Sequence, residues 1–153
     1  MNPFDPRSAL LAKHAQHVVL VHFPIALFLM GAACDFASRW MKNATNRATV
    51  AAAAHLNLIA AAAFVLPTLA TGIAAWQWQL AGQKLKGLLF LHLAMGSASS
   101  LLICTVAWIS LRQRRAPGST LPAGYLLLEL LTSVIVALTA HLGGFLSGVN
   151  VPG

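Results

Sequence analysis

Histidine is the side chain through which this sequence can do chemistry, and its positions raise the first question. The stretch LVHFPIALFLMGAACDF, residues 20–36, sets His22 and Pro24 just inside a run otherwise apolar enough for lipid. His92 lies in LFLHLAMGSASS and His141 in LTAHLGGFLSG, both apolar contexts as well. A neutral imidazole carries one N–H donor and one lone pair, and the lone pair is a metal ligand. Two imidazoles from different helices can hold haem iron from both faces of a porphyrin. Ionisable residues inside membrane segments are rare and face the interior, so each of these histidines is a candidate functional group.

The elements that must position them follow from composition. The chain has 153 residues, 58% hydrophobic and only 8% charged. An average soluble domain carries roughly 25% charged residues, so the medium around most of this surface is expected to be lipid. Four apolar segments are visible, about Val18–Ala37, Ala48–Leu80, Gly87–Leu111 and Leu121–Ser147. Each reaches the roughly 20 residues needed to cross hydrocarbon. The second exceeds one straight span, so tilt or protrusion with Trp76 and Trp78 at the interface is expected, with a kink at Pro67. No alternating strand pattern competes. The expected fold is all-α: a single integral membrane domain, a four-helix antiparallel transmembrane bundle with short loops. A polar N-terminal stretch, residues 1–16, precedes it as an interfacial segment.

Charge sets orientation. Arg39, Lys42, Arg47, Arg112, Arg114 and Arg115 fall on one side, against Arg7, Lys13, Lys84 and Lys86 on the other. The positive-inside rule then puts both termini in the periplasm of a bacterial inner membrane. The net charge of +7 reads as this topology signal and not as a nucleic-acid surface, because no aromatic residues interleave with the basic ones. Cys34 and Cys104 sit in apolar runs without metal-ligand spacing and read as small hydrophobes.

Depth then groups the histidines. His22 and His92 each lie about one turn into helices that enter from the periplasmic side, and His141 about two turns before the end of the helix that exits there. The first and third helices of such a bundle are diagonal. His22 and His92 are therefore the first choice as axial ligands of one haem b, with His141 the alternate. Met95, Gly96, Ser99 and Ser100 give His92 a mostly small stripe, and Gly144 and Gly148 follow His141. Lys84 and Lys86 are candidates for the haem propionates. Zinc or copper on three histidines is the competing reading, less favoured because no carboxylate lies at that level. His14 and His17 read as interfacial surface histidines. At the inner level Asp35, His55, Asn57 and Glu129 read as packing polar groups, with a proton or quinone-headgroup site as the alternative.

The two ends of the sequence also resemble a family. HVVLVHFPIAL, residues 17–27, and HLGGFLSG, residues 141–148, are similar to the opening and closing patterns of the bacterial membrane family DUF2231, and LHLAMG around His92 looks similar too. Val18 stands where that pattern has proline, and Ser147 where some members have histidine. The resemblance implies four membrane helices and, through relatives that resemble b-type cytochromes or are fused to c-type haem domains, electron transfer. The expected function is thus a cytochrome b-like subunit of a larger membrane complex, not a complete enzyme. Its expected partners are other membrane subunits, a periplasmic electron carrier or c-type cytochrome, and quinone. The rival is a non-redox structural or assembly subunit.

Overall fold

The computed structural model describes residues 13–79, 82, 84–113 and 121–147. Four helices account for nearly all of them: α1 Lys13–Trp40, α2 Ala44–Gln79, α3 Gly87–Arg112 and α4 Ala123–Leu146. All four are long and apolar enough to cross a membrane. Helix α1 begins a turn before the apolar run, so His17 is already inside it. At about 1.5 Å per residue, the 36 residues of α2 outrun a hydrocarbon core of about 30 Å. The helix must therefore tilt or extend past the hydrocarbon, and Trp76 and Trp78 lie in its last turn. The polar segment before Lys13 lies outside the described residues.

The helices form a ring in chain order. Helix α1 packs most extensively on α2, α3 on α4, and weaker contacts of α2 with α3 and α1 with α4 close the circuit. The diagonal pairs are therefore α1 with α3 and α2 with α4. The close α1–α2 seam depends on Gly31, where a Cβ would meet Leu58 Cδ2 at 2.9 Å and the Ala54 carbonyl at 3.3 Å.

The distribution of side chains is that of a protein in lipid. Leu56, Leu66 and Leu101 stand 67%, 75% and 70% exposed. In water each would forgo about 1.5–3 kcal/mol of burial, whereas acyl chains cover such side chains without that loss. The interior instead holds Asp35, Ser99, Ser110, Glu129 and Thr132 beside Phe28, Leu58, Val106 and Val136. Serine and threonine hydroxyls bond within the bundle, as lipid offers no partner. Thr132 Oγ1 donates to Leu128 O (2.7 Å) and Thr105 Oγ1 to Leu101 O (2.8 Å). Pro24 has no N–H to offer Leu20 O, and Thr68 Oγ1 donates to that carbonyl from α2 (3.3 Å).

The two hairpins repeat one another. The shift that carries His17 onto His92 carries the buried Pro24, Phe28, Gly31, Ala32 and Asp35 of α1 onto the buried Ser99, Ile103, Val106, Ala107 and Ser110 of α3. A second constant shift carries Ala54, Leu58, Ala61 and Val65 of α2 onto Tyr125, Glu129, Thr132 and Val136 of α4, all buried. Among the described residues only Ser38 and Leu126 are buried outside this match. Both hairpins run in the same direction, so the bundle has the form of a parallel repeat about an axis along the helices.

Candidate functional site

One end of the bundle gathers the start of α1, the end of α2, the start of α3 and the end of α4. Four histidines lie there with described side chains: His17, His22, His92 and His141. Helical rotation separates them. The buried stripe of α1 runs through Asp35, Gly31 and Ala32, Phe28 and Pro24, and its continuation by two turns reaches His17. His22, five residues further on, points about 140° away from His17 at 100° per residue.

His22 is exposed on the outer surface of α1, and its Nδ1–H donates to the carbonyl of Val18 one turn earlier in the same helix. Its neighbours do the packing: Phe23 stacks on Phe64 of α2 (centroids 4.8 Å, planes 13° apart), and Pro24 is buried. His141 is likewise exposed and meets Phe145 edge-on at 4.8 Å. Of the three histidines expected from sequence, only His92 turns inward, and the structure does not bring the three together. Among the described residues no three His, Cys, Asp or Glu side chains converge on one point. Cys34 and Cys104 are free thiols. Lys84 and Lys86 are exposed at this end.

The histidine on which His92 acts across the bundle is His17. His17, expected to be a surface residue, is half-buried between α1 and α2. The two rings, on diagonal helices, lie within electrostatic reach of one another. Each rests on a glycine of the next helix. A Cβ on Gly72 would meet His17 Cε1 at 3.0 Å, and one on Gly143 would meet His92 Cε1 at 3.1 Å. These glycines are equivalent in the repeat, as are Thr68 and Thr139, each of which crosses from the second helix of its hairpin to the first: Thr68 to Leu20 O (3.3 Å), Thr139 Oγ1 to Ser99 Oγ (2.9 Å).

Thr71 Oγ1 reaches the carbonyls of Pro67 (2.9 Å) and Thr68 (3.0 Å), which compete for its single proton. With that proton on the backbone, the oxygen is an acceptor for a His17 Nδ1–H, 3.3 Å away, and the Thr68 backbone acts on the same ring. In that tautomer Nε2 keeps the lone pair, the arrangement of a metal-ligating imidazole whose other nitrogen is held by an outer partner. His92 differs. Its Nδ1 is buried with no hydrogen-bond partner among the described residues. The Thr139 backbone acts on it, as the equivalent Thr68 backbone acts on His17, so the two rings differ in the side-chain partner.

Over residues 13–150 the chain matches the family described as Predicted membrane protein (DUF2231). It belongs to that family. The match spans both end motifs, and four apolar helices agree with a membrane family. No curated protein and no solved structure matches the chain.

The opposite end of the bundle holds a second polar group. Asp35 and Glu129 are fully buried, His55 Nδ1 and Ser110 Oγ are 2.9 Å apart, and Ser38 Oγ donates to Asp35 O (2.8 Å). Asp35 and Ser110 occupy equivalent positions of the two hairpins, two turns beyond Phe28 and Ile103. This group lies most of a helix length from His17 and His92.

Proposed function

We propose that this DUF2231 member is a membrane electron-transfer subunit that binds haem b through His17 and His92, in place of the His22 and His92 pairing favoured by depth alone. One observation carries the reading: two inward imidazoles at the same end of diagonal helices, each set against a glycine. The residues fit such a group in three respects. Gly72 and Gly143 keep clear the space a Cβ would fill beside each ring. Thr71 Oγ1 stands 3.3 Å from His17 Nδ1, where it can hold an Nδ1–H and leave Nε2 for a metal. His92 Nδ1 is a buried polar atom without a hydrogen-bond partner among the described residues.

Haem b, when bound, supplies a one-electron couple. The chain's part is to fix the imidazoles, exclude lipid and water, and set the site near one membrane surface. With the six-residue basic side inside, that surface is periplasmic, and both termini face the periplasm of a bacterial inner membrane. The electron partners are then a periplasmic carrier or c-type cytochrome, and quinone or another subunit within the membrane.

The test is the absorption spectrum of protein purified from haem-sufficient cells, oxidised and dithionite-reduced. Wild type should show a low-spin six-coordinate haem. His17→Ala and His92→Ala should each lose it at unchanged protein level, while His22→Ala and His141→Ala retain it. Loss in His22→Ala with retention in His17→Ala would return the ligand to VHFP. A wild type without haem would leave the non-redox structural subunit as the better reading.

A further inference from the structure

Around the histidines the two hairpins match in burial, in the histidine itself, in the threonine beside it and in the glycine beneath it, and one position there breaks the match. Thr71, whose Oγ1 faces His17 Nδ1, corresponds to Leu142 in the second hairpin. Leucine has no polar atom, and the His92 Nδ1 of that hairpin is the one buried without a hydrogen bond. The missing partner and the broken equivalence are two views of one substitution in the repeat.

We infer that the two histidines hold their ligand unequally: His17 is the fixed ligand, and the His92 side is an exchangeable position open to a small neutral monodentate ligand such as carbon monoxide. This rests on the haem reading above. An imidazole whose outer nitrogen is tethered keeps one tautomer and one ring orientation, and loss of such a partner weakens metal binding by about 10- to 100-fold. His17 has that tether. If His92 binds through Nε2, its Nδ1–H has the Thr139 backbone near it but no hydrogen bond of good geometry among the described residues, and the bond to the metal is weaker for it. Dissociation of His92 breaks only that coordinate bond, and the incoming ligand forms one in its place, with no electron transferred. Gly143 is what lets the ring stand against α4, since a Cβ there would meet His92 Cε1 at 3.1 Å.

Two reciprocal variants of the full-length protein test this in detergent, with haemin as the probe. Leu142→Thr supplies His92 with the side-chain acceptor it lacks, and Thr71→Leu removes that of His17. On the dithionite-reduced protein, carbon monoxide affinity should fall about tenfold or more in Leu142→Thr. In Thr71→Leu, haem affinity should fall by a similar factor. Nitrogen-15 NMR of histidine-labelled, haem-free protein should show the Nδ1–H tautomer at His17 and lose it in Thr71→Leu. Haem binding with carbon monoxide affinity unchanged in Leu142→Thr overturns the inequality and leaves the haem reading standing. A His17 that is not the Nδ1–H tautomer overturns the inequality even before haem is added. Absence of any low-spin haem in wild type overturns both.

Discussion

Gly72→Ala probes the site without removing a histidine. The new Cβ would stand 3.0 Å from His17 Cε1, 3.4 Å from Nδ1 and 3.5 Å from Nε2. Carbon atoms rest at about 3.5–4.0 Å, so the ring must withdraw by roughly 0.5–1 Å. It cannot simply swing aside, because Nδ1 is tied to Thr71. Metal–ligand distances tolerate about 0.2 Å, so the displacement exceeds what an axial bond absorbs. Alanine is better than glycine in a helix by about 1 kcal/mol, which offsets a contact penalty of similar size. The variant should therefore fold and insert with stability within about 1 kcal/mol of wild type, yet lose the low-spin spectrum or bind haem about 10- to 100-fold more weakly. The assay pairs absorption spectra with a denaturation midpoint in detergent. Wild-type haem content in Gly72→Ala, when His17→Ala has lost it, would refute the spacing argument. An unfolded Gly72→Ala would mean that the glycine serves helix approach and not the ring.

Other outcomes follow from the same geometry. Gly31→Ala should destabilise the bundle by about 1–3 kcal/mol, read by detergent denaturation, because Leu58, only 2.9 Å from the new Cβ, is itself fully buried. Asp35→Asn and Glu129→Gln should leave haem content unchanged, since both residues lie toward the end opposite His17 and His92; haem loss in a well-inserted variant would place the site at the wrong depth. Reporter fusions at the C-terminus and in the loop at Arg112–Arg115 should report opposite sides of the membrane, and a cytoplasmic C-terminus would reverse the orientation.

The fold was legible because its signal is coarse. Runs of twenty and more apolar residues have one solution in lipid, and the four segments read from composition lie within a few residues of the observed helices. The ends were less legible, for a physical reason. Hydropathy marks where hydrocarbon ends, whereas the helix continues into the interface as long as its backbone bonds are satisfied. Helix α1 therefore starts at Lys13 and not Val18, and that extra turn is the one that carries His17.

The candidate site was legible in depth but not in rotation. Depth sorts His22, His92 and His141 into one layer, but depth is the same all around a helix, while only one stripe faces the axis. That stripe was recoverable from α1: Asp35, Ala32, Phe28 and Pro24 recur at helical spacing, and two further turns along it stands His17. His22 falls off the stripe, as does His141 on α4, where Val136, Glu129 and Tyr125 define the inward face. The repeat was harder to see, because its paired positions share burial and not letters: Phe28 answers to Ile103, Leu58 to Glu129, Asp35 to Ser110. In lipid the interior tolerates such exchanges, since the polar member finds a partner inside the bundle and the apolar one packs equally well. His17 and His92 are paired positions that do share a letter, and each stands against an equivalent glycine, Gly72 or Gly143.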